Sequence, residues 1–320
     1  MPHANFRRFA WFFVAYLVAV ILFGAWVRIS GSGNGCGSHW PTCNGSVIPQ
    51  EAATKTVIEY THRLTSGLCG VFAIVLLLWS RRISRRVMYA SAATLFFVLV
   101  EGLIGAVLVK KELVAGDASV ARAIAVSLHL ANTMLLTASA ATAAWWAGAR
   151  LPAALTGSKF WLAASVAALL LTNMSGAVTA LGDTLFPIQP ALDGNLVSKV
   201  RDDISGSQHF LVRLRILHPI VAVLASGVVL AAFAGVARGD RRHGPAGLLL
   251  DVGQIAIIIQ LLLGGLNVVL AAPGWMQVVH LLAAQVVWIA AWLATMTAWP
   301  RRAGAVTEAP APVSLVASAD

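Results

Sequence analysis

The chain has 320 residues, of which 58% are hydrophobic and only 11% are charged, and its mean hydropathy is +0.79. Soluble globular domains carry about 25% charged residues, so this composition excludes an ordinary soluble protein and indicates an integral membrane protein. The formal net charge of +10 would suggest a nucleic-acid partner in a soluble protein, but here the basic residues cluster in turns between apolar segments, which excludes that function.

Eight apolar segments are long enough to cross a membrane, because a spanning helix needs about 20 mostly apolar residues. The sequence therefore predicts an all-α integral membrane protein with eight transmembrane helices. The predicted spans are residues 9–28, 62–80, 87–109, 121–148, 160–181, 211–236, 246–271 and 276–299.

Most basic residues fall on one side of these predicted spans. Loops rich in Lys and Arg stay in the cytoplasm, so the pattern predicts a multi-pass protein of the cell membrane with both termini cytoplasmic. The tail 303–320 is rich in Ala, Pro and Ser, has no apolar periodicity and is predicted to be disordered. The basic residues on the predicted cytoplasmic side are Arg7, Arg8, Arg81, Arg82, Arg85, Arg86, Arg150, Lys159, Arg238, Arg241, Arg242, Arg301 and Arg302.

The first predicted outer loop is rich in Gly and Ser and contains Cys36 and Cys43. Disulfides persist on the oxidising side of a membrane, so this location is compatible with a bridge between the two cysteines. A bridge that closes so small a loop stabilises a protein by about 3 kcal/mol or less. A structural staple and a redox-active pair are both open interpretations. Cys69 lies inside the second predicted helix and is interpreted as a small core residue.

The two halves of the chain carry matching features in the same order. The first and fifth predicted helices end in Gly24-Ala25 and Gly176-Ala177. The third contains Glu101 four residues before Gly105, and the seventh contains Gln260 four residues before Gly264. Four spans return the chain to its starting side, so both copies have the same orientation. The sequence predicts two four-helix bundles, residues 1–150 and 151–302, related by a pseudo-two-fold axis along the membrane normal.

Each even-numbered predicted helix carries one histidine near its outer end. A histidine in a hydrophobic segment is costly without a partner or a metal. Two histidines from different helices of one bundle, at similar depth, suit axial ligation of one haem. A zinc site is the less favoured metal alternative, because it would need further Cys, His or Asp ligands nearby. For one isolated histidine, a hydrogen-bonded packing role would be favoured over metal ligation. The repeated arrangement favours haem ligation by the pairs His62 with His129 and His218 with His280.

Charged residues near these histidines each have two interpretations. Arg63 and Arg215 lie at the outer interface, where they would contact haem propionates or extend toward lipid headgroups. Glu59 lies one turn before His62, where it would transfer protons or cap the N-terminus of the helix. Glu101 lies within a predicted span, so it is either functional or a protonated acid hydrogen-bonded to a neighbouring helix.

The motifs of the N-terminal half resemble the haem A synthase family, of the bacterial type with a cysteine pair in the first outer loop. The resemblance rests on the segment from Gly24 to Gly45, on Glu59-Tyr60-x-His62-Arg63, and on the later histidines. It implies an oxidoreductase of haem A biosynthesis that oxidises the C8 methyl group of haem O to a formyl group for terminal oxidases. Two successive hydroxylations would give a geminal diol, which then loses water.

The resemblance also implies roles for the candidate residues and names partners. It implies haem O as substrate, haem O synthase as a partner, and an electron donor of unidentified kind. The long outer loop of the C-terminal half, about residues 182–210, lacks the additional cysteine pair that some family members have, so thiol chemistry would depend on the first loop. The implied roles are haem b ligation by His218 and His280, substrate-haem ligation by His62 and His129, catalysis by Glu59, and a disulfide between Cys36 and Cys43.

The main alternative is a membrane electron carrier of the cytochrome b type, with two haems each ligated by two histidines. A prenyltransferase such as haem O synthase is a further alternative, but it needs Asp-rich motifs for magnesium diphosphate, and the sequence has no such cluster. The halves differ in a way that favours the enzyme, because only the N-terminal half has a carboxylate next to its histidine. At the corresponding position before His218 the sequence has the basic residue Arg215.

Overall fold

The computed structural model describes residues 2–50, 53–148, 159–187, 201, 203–239 and 245–298. These residues form helices without β-strands, and eight segments are long and apolar enough to span a membrane. This confirms the prediction of an all-α protein with eight spans. The helices are α1 (Pro2–Ile29), α2 (Thr54–Ser80), α3 (Arg85–Lys110), α4 (Val120–Trp146), α5 (Lys159–Leu185), α6 (Phe210–Leu214), α7 (Leu217–Gly239), α8 (Pro245–Val269) and α9 (Gly274–Ala298).

The second helix begins earlier than the hydropathy predicted. α2 starts at Thr54, eight residues before His62, so the predicted start at residue 62 was wrong. Its first turns are polar because they pack against the preceding loop, which buries Thr56 and Glu59. Glu59 is five residues inside the helix and not in its first turn, so the interpretation of Glu59 as a helix cap was also wrong.

The sixth span consists of two helices. α6 and α7 are separated by a turn at Arg215 and Ile216, where the backbone N–H of Arg215 donates to the carbonyl oxygen of Val212 at 3.3 Å. Pro219 lacks a backbone N–H and lies in the first turn of α7, where that group would have no intrahelical partner. The break therefore occurs directly before His218, at the same end of the bundle as the first loop.

Helix α4 is the most buried of the spans and packs against α9. Small side chains from Ala138 to Ala144 let neighbouring helices approach closely. Two indole groups of α9 bond to this helix: Trp288 Nε1 donates to the carbonyl oxygen of Met134 at 2.7 Å and Trp292 Nε1 to Thr142 Oγ1 at 2.8 Å. α4 and α9 thus join the N-terminal helices to the C-terminal ones, while the two-fold relation of two bundles stays a prediction.

Some predicted features fall outside the described residues. They are the tail 303–320, the basic residues Arg150, Arg241, Arg242, Arg301 and Arg302, and the side chain of Arg238. The cytoplasmic location of the termini stays a prediction.

Candidate active site

A disulfide holds the loop between α1 and α2. Cys36 and Cys43 are bonded and fully buried, which confirms the predicted bridge. Gly35 packs directly on α2, where an added Cβ would lie 2.4 Å from a backbone carbonyl oxygen, so only glycine fits. We call the end of the molecule that carries this loop the disulfide end. The loop is therefore fixed over the start of α2.

The carboxylate of Glu59 lies beneath this loop and is only 3% exposed. Its Oε2 atom accepts a hydrogen bond from the backbone N–H of Cys36 at 2.9 Å. Its Oε1 atom accepts from Arg63 Nη2 at 2.5 Å and from Arg63 Nε at 3.1 Å. Arg63 Nη1 also donates to the carbonyl oxygens of His39 and Thr42, at 2.7 and 2.8 Å. Loop, carboxylate and guanidinium thus form one network.

All four predicted ligand histidines line one cavity of about 1560 Å³, together with Glu59 and Glu101. Pockets for single small molecules measure about 300–1,000 Å³, so this cavity is large enough for more than one such group. Each histidine follows the start of its span by six to nine residues, as His280 follows Gly274 and His129 follows Val120. The cavity therefore lies toward the disulfide end.

The C-terminal pair has the spacing expected for two ligands of one iron. The ring centroids of His218 and His280 are 6.4 Å apart, and the rings are perpendicular. Two metal–nitrogen bonds of about 2 Å each leave room for a metal between such rings. Ser175 Oγ lies 3.0 Å from His218 Nδ1, which leaves Nε2 free to bind. His280 Nε2 lies 3.2 Å from Gln260 Nε2, whereas His280 Nδ1 is buried and has no hydrogen bond within the described residues, so Nδ1 is the free nitrogen of that ring. This pair fits a haem held from both faces.

The N-terminal pair also has ring nitrogens available for binding. His62 Nδ1 and His129 Nδ1 are buried and make no hydrogen bond within the described part of the chain. The nearest carboxylate atom to His129 Nδ1 is Glu101 Oε1, at 3.5 Å. Buried polar atoms are normally paired, so His62 Nδ1 points to a bound group. His129 Nδ1 faces Glu101, which leaves Nε2 of that ring for binding. No group of three or more His, Cys, Asp or Glu side chains among the described residues could hold a metal ion, as a zinc site would require.

Glycines face three of the four histidines, including His280, whose Cε1 would lie 3.2 Å from a Cβ added at Gly264. A Cβ added at Gly24 would lie 3.0 Å from His62 Cε1, and a Cβ at Gly176 would lie 3.0 Å from His218 Cε1. Such a distance is too short for any larger side chain without movement of the ring. The sequence showed Gly24 and Gly176 as matching helix ends but did not show that they make room for the histidines.

Sequence reasoning missed the site role of Arg28. Its guanidinium donates to the carbonyl oxygen of Ala180 at 2.6 Å, to Gln277 Oε1 at 2.9 Å, and to Thr184 Oγ1. Arg28 thus connects α1 with α5 and α9 in the wall of the cavity. Its place in the Gly24–Arg28 motif was the signal that could have identified it.

The two arginines predicted to contact propionates both lie in the cavity wall. Arg63 is bonded to Glu59 as described above. Arg215 is buried; its Nη2 atom donates to the carbonyl oxygen of Phe186 at 2.9 Å, and its Nε atom lies 3.5 Å from Asp183 Oδ1. Both guanidinium groups therefore have protein partners, and their contact with propionates stays a prediction.

Replacing Cys36 and Cys43 together with serine is expected to lower the thermal unfolding midpoint of the purified protein. The bridge closes a short loop, so its loss should lower the free energy of unfolding by about 3 kcal/mol or less. Intrinsic fluorescence during heating measures this change. A Cys69→Ser variant, which changes a buried free thiol, is the control. An unchanged midpoint in the double variant would show that the bridge does not stabilise the loop.

The family model described as cytochrome oxidase assembly protein, COX15-CtaA, matches residues 7–292. A Thermus thermophilus protein named protoheme IX farnesyltransferase is 43% identical over 288 residues, which is 88% of this chain and 46% of that protein. The heme A synthase of Alkalihalophilus pseudofirmus is 42% identical over 93 residues, 28% of this chain and 31% of the relative. The heme A synthase of Lysinibacillus sphaericus is 39% identical over 112 residues, which is 33% of this chain and 36% of that protein. The match spans less than half the length of each of these relatives.

Proposed function

Since the chain belongs to the COX15-CtaA family of cytochrome oxidase assembly proteins, we propose that it is a haem A synthase. It would oxidise the C8 methyl group of haem O to a formyl group, by two successive hydroxylations and loss of water from the diol. The relatives named heme A synthase, which match part of the chain, support this activity.

The observation that carries the proposal is the placement of Glu59 beside His62. The carboxylate is buried at the cavity wall and is held by the Cys36 N–H and the Arg63 guanidinium. A carboxyl group held at a reaction site can take up and release a proton at either oxygen. The corresponding place before His218 has Arg215, which cannot do this. This difference between the halves supports an enzyme over an electron carrier.

The two halves would then have different roles. His62 and His129 would bind the iron of haem O, and the edge of the porphyrin ring would lie within reach of Glu59. His218 and His280 would hold a resident haem b, which when bound supplies electron transfer to the site.

Other residues would position these groups. Because Gly24 and Gly176 have no side chain, the rings of His62 and His218 have room to turn toward the cavity. Arg63 keeps the carboxylate of Glu59 in place. Residues 1–150 and 151–302 would form these two units.

We further propose that a haem O synthase is the partner that supplies the substrate. The Thermus thermophilus relative is named for farnesyl transfer to protohaem IX, and more than half of its length lies outside the match to this chain. A region similar to this chain is therefore joined to additional sequence in a protein of that name. Such a connection would favour direct transfer of a farnesylated haem. Both proteins would act in the cell membrane, with the termini of this chain in the cytoplasm.

Co-expression with a haem O source and extraction of the pigments tests the function. The wild-type protein is expected to give formyl haem. His62→Ala and His129→Ala should abolish it and leave protohaem bound, whereas His218→Ala and His280→Ala should lose the bound protohaem. His3→Ala, which changes an exposed side chain of α1, is the control.

Protohaem as the sole pigment of the wild type would instead support the electron carrier. Reduced-minus-oxidised spectra of the purified variants show which histidine pair still binds haem. A histidine variant with a wild-type spectrum and wild-type formyl haem would remove that residue from the proposed ligand set.

A further inference from the structure

Glu101 is a carboxylate of α3 that the roles above do not use. It lies in the cavity wall and contacts three residues of α4. Asn132 Nδ2 donates to its Oε2 atom at 2.5 Å, and Thr133 Oγ1 is hydrogen-bonded to its Oε1 atom. The same Oε1 atom lies 3.5 Å from His129 Nδ1. A carboxylate within a span is costly, so its retention with these partners indicates a function.

The partners hold the carboxylate of Glu101 in one orientation. The Asn132 amide also donates to the carbonyl oxygen of Phe97 on α3, at 2.9 Å, which fixes the amide between the two helices. The hydroxyl of Thr133 also contacts the carbonyl oxygen of His129, at 2.8 Å. Both carboxylate oxygens are therefore fixed, and one of them faces a buried ring nitrogen that has no hydrogen bond within the described residues.

A histidine that binds a metal commonly donates its other N–H to a carboxylate, which sets the ring orientation and raises its donor strength. Nδ1 of His129 faces Glu101, so Nε2 is the nitrogen directed away from the carboxylate and available for iron. Contacts of this kind are often long before the reacting group is bound and shorten on binding. A separation of 3.5 Å is suited to such a change.

The C-terminal half has a different group at the corresponding position. Gln260 precedes Gly264 by the same interval as Glu101 precedes Gly105, and it also contacts the histidine of the next span. This contact is between a neutral amide and His280 Nε2, at 3.2 Å. A neutral amide cannot raise the donor strength of an imidazole as a carboxylate does. The two proposed haem sites therefore differ in the polar group beside one ligand.

We infer that Glu101 is a positioning residue that orients His129 and strengthens it as an iron ligand in the N-terminal half. This inference rests on the proposed function, because it requires His129 to bind the iron of the substrate haem. The substrate haem would then be more electron-rich than a haem held by His280 beside Gln260. Glu101 would act through His129 and would not touch the reacting methyl group.

The iron–histidine bond of the N-terminal site can be measured directly. His62→Ala leaves His129 as the single predicted ligand, so ferrous haem added to this variant should be five-coordinate. Adding Glu101→Gln is expected to shift the iron–histidine stretching band to lower frequency in resonance Raman spectra, because the Nδ1 partner becomes neutral. In a His129→Ala background, where His62 is the single ligand, Glu101→Gln should leave the band unchanged. Glu112→Gln, at an exposed loop carboxylate, is the matched control.

A second measurement tests the inference if the His62→Ala variant does not bind haem. In the otherwise wild-type protein loaded with haem O, Glu101→Gln should raise the midpoint potential of the N-terminal haem and leave that of the haem at His218 and His280 unchanged. Haem bound at His129 with an unchanged band and potential would overturn the inference and leave the proposed function intact. Absence of haem from the N-terminal site of the wild type would overturn both.

Discussion

Glu59→Gln is expected to lower the rate of haem A formation by about 100-fold or more, because general acid–base groups contribute about 10²–10⁴-fold to rates. The amide keeps an oxygen that can accept from the Cys36 N–H, so the loop stays in place. It cannot accept a proton from a reacting group at neutral pH. Formation of formyl haem from added haem O, followed by pigment extraction over time, measures the loss.

The haem proposed for the C-terminal half separates this effect from a loss of folding. Glu59→Gln should keep the reduced spectrum of the haem at His218 and His280, since those residues lie in the other half. Glu112→Gln should have wild-type activity because its side chain is exposed in the loop after α3. Wild-type rates of formyl haem formation in Glu59→Gln would remove Glu59 from the proposed mechanism.

Gly24→Val and Gly176→Val are each expected to abolish haem binding in one half of the protein. A Cβ at either position would lie 3.0 Å from the facing imidazole carbon, and valine adds two methyl groups beyond it. Gly24→Val should displace His62, and Gly176→Val should displace His218. Haem content per protein, measured after loading with haem O, should fall by about one equivalent in each variant.

The two variants should also differ in their spectra and products. Gly176→Val should lose the resident haem signal, whereas Gly24→Val should keep it and lose formyl haem production. Gly227→Val is the control, because a Cβ at Gly227 on α7 would meet no atom within 4 Å. Equal haem content in Gly24→Val, Gly176→Val and wild type would show that these glycines are not needed to place the rings.

Hydropathy predicted the number of spans well because contact with lipid demands long apolar helices. It failed at the start of α2, where the polar residues Thr56 and Glu59 are buried and bond to the preceding loop. The location of Cys36 and Cys43 in one predicted outer loop was compatible with a bridge, and the resemblance to the haem A synthase family implied it. Hydropathy thus predicted the number of spans more reliably than the positions of the helix ends.

The contacts of the candidate site were less accessible from sequence. Glu59 accepts a hydrogen bond from the backbone N–H of Cys36. Every residue except proline carries such a donor, so the residue type at position 36 does not indicate this contact. Arg28 bonds to residues more than 150 positions away, which no local pattern can indicate. The placement of both groups depends on how helices pack, and that is determined by the whole chain.

Arg28 has a consequence for the predicted relation between the two halves of the chain. If the halves are aligned on Gly24 and Gly176, the position that corresponds to Arg28 is Ala180, whose carbonyl oxygen accepts from that guanidinium. Two identical bundles packed in the same way would bring two like charges together at this point. In one polypeptide, one half can keep the donor while the other supplies an acceptor. If the halves arose as the predicted copies, their sequences had to differ at this position before they could pack as they do.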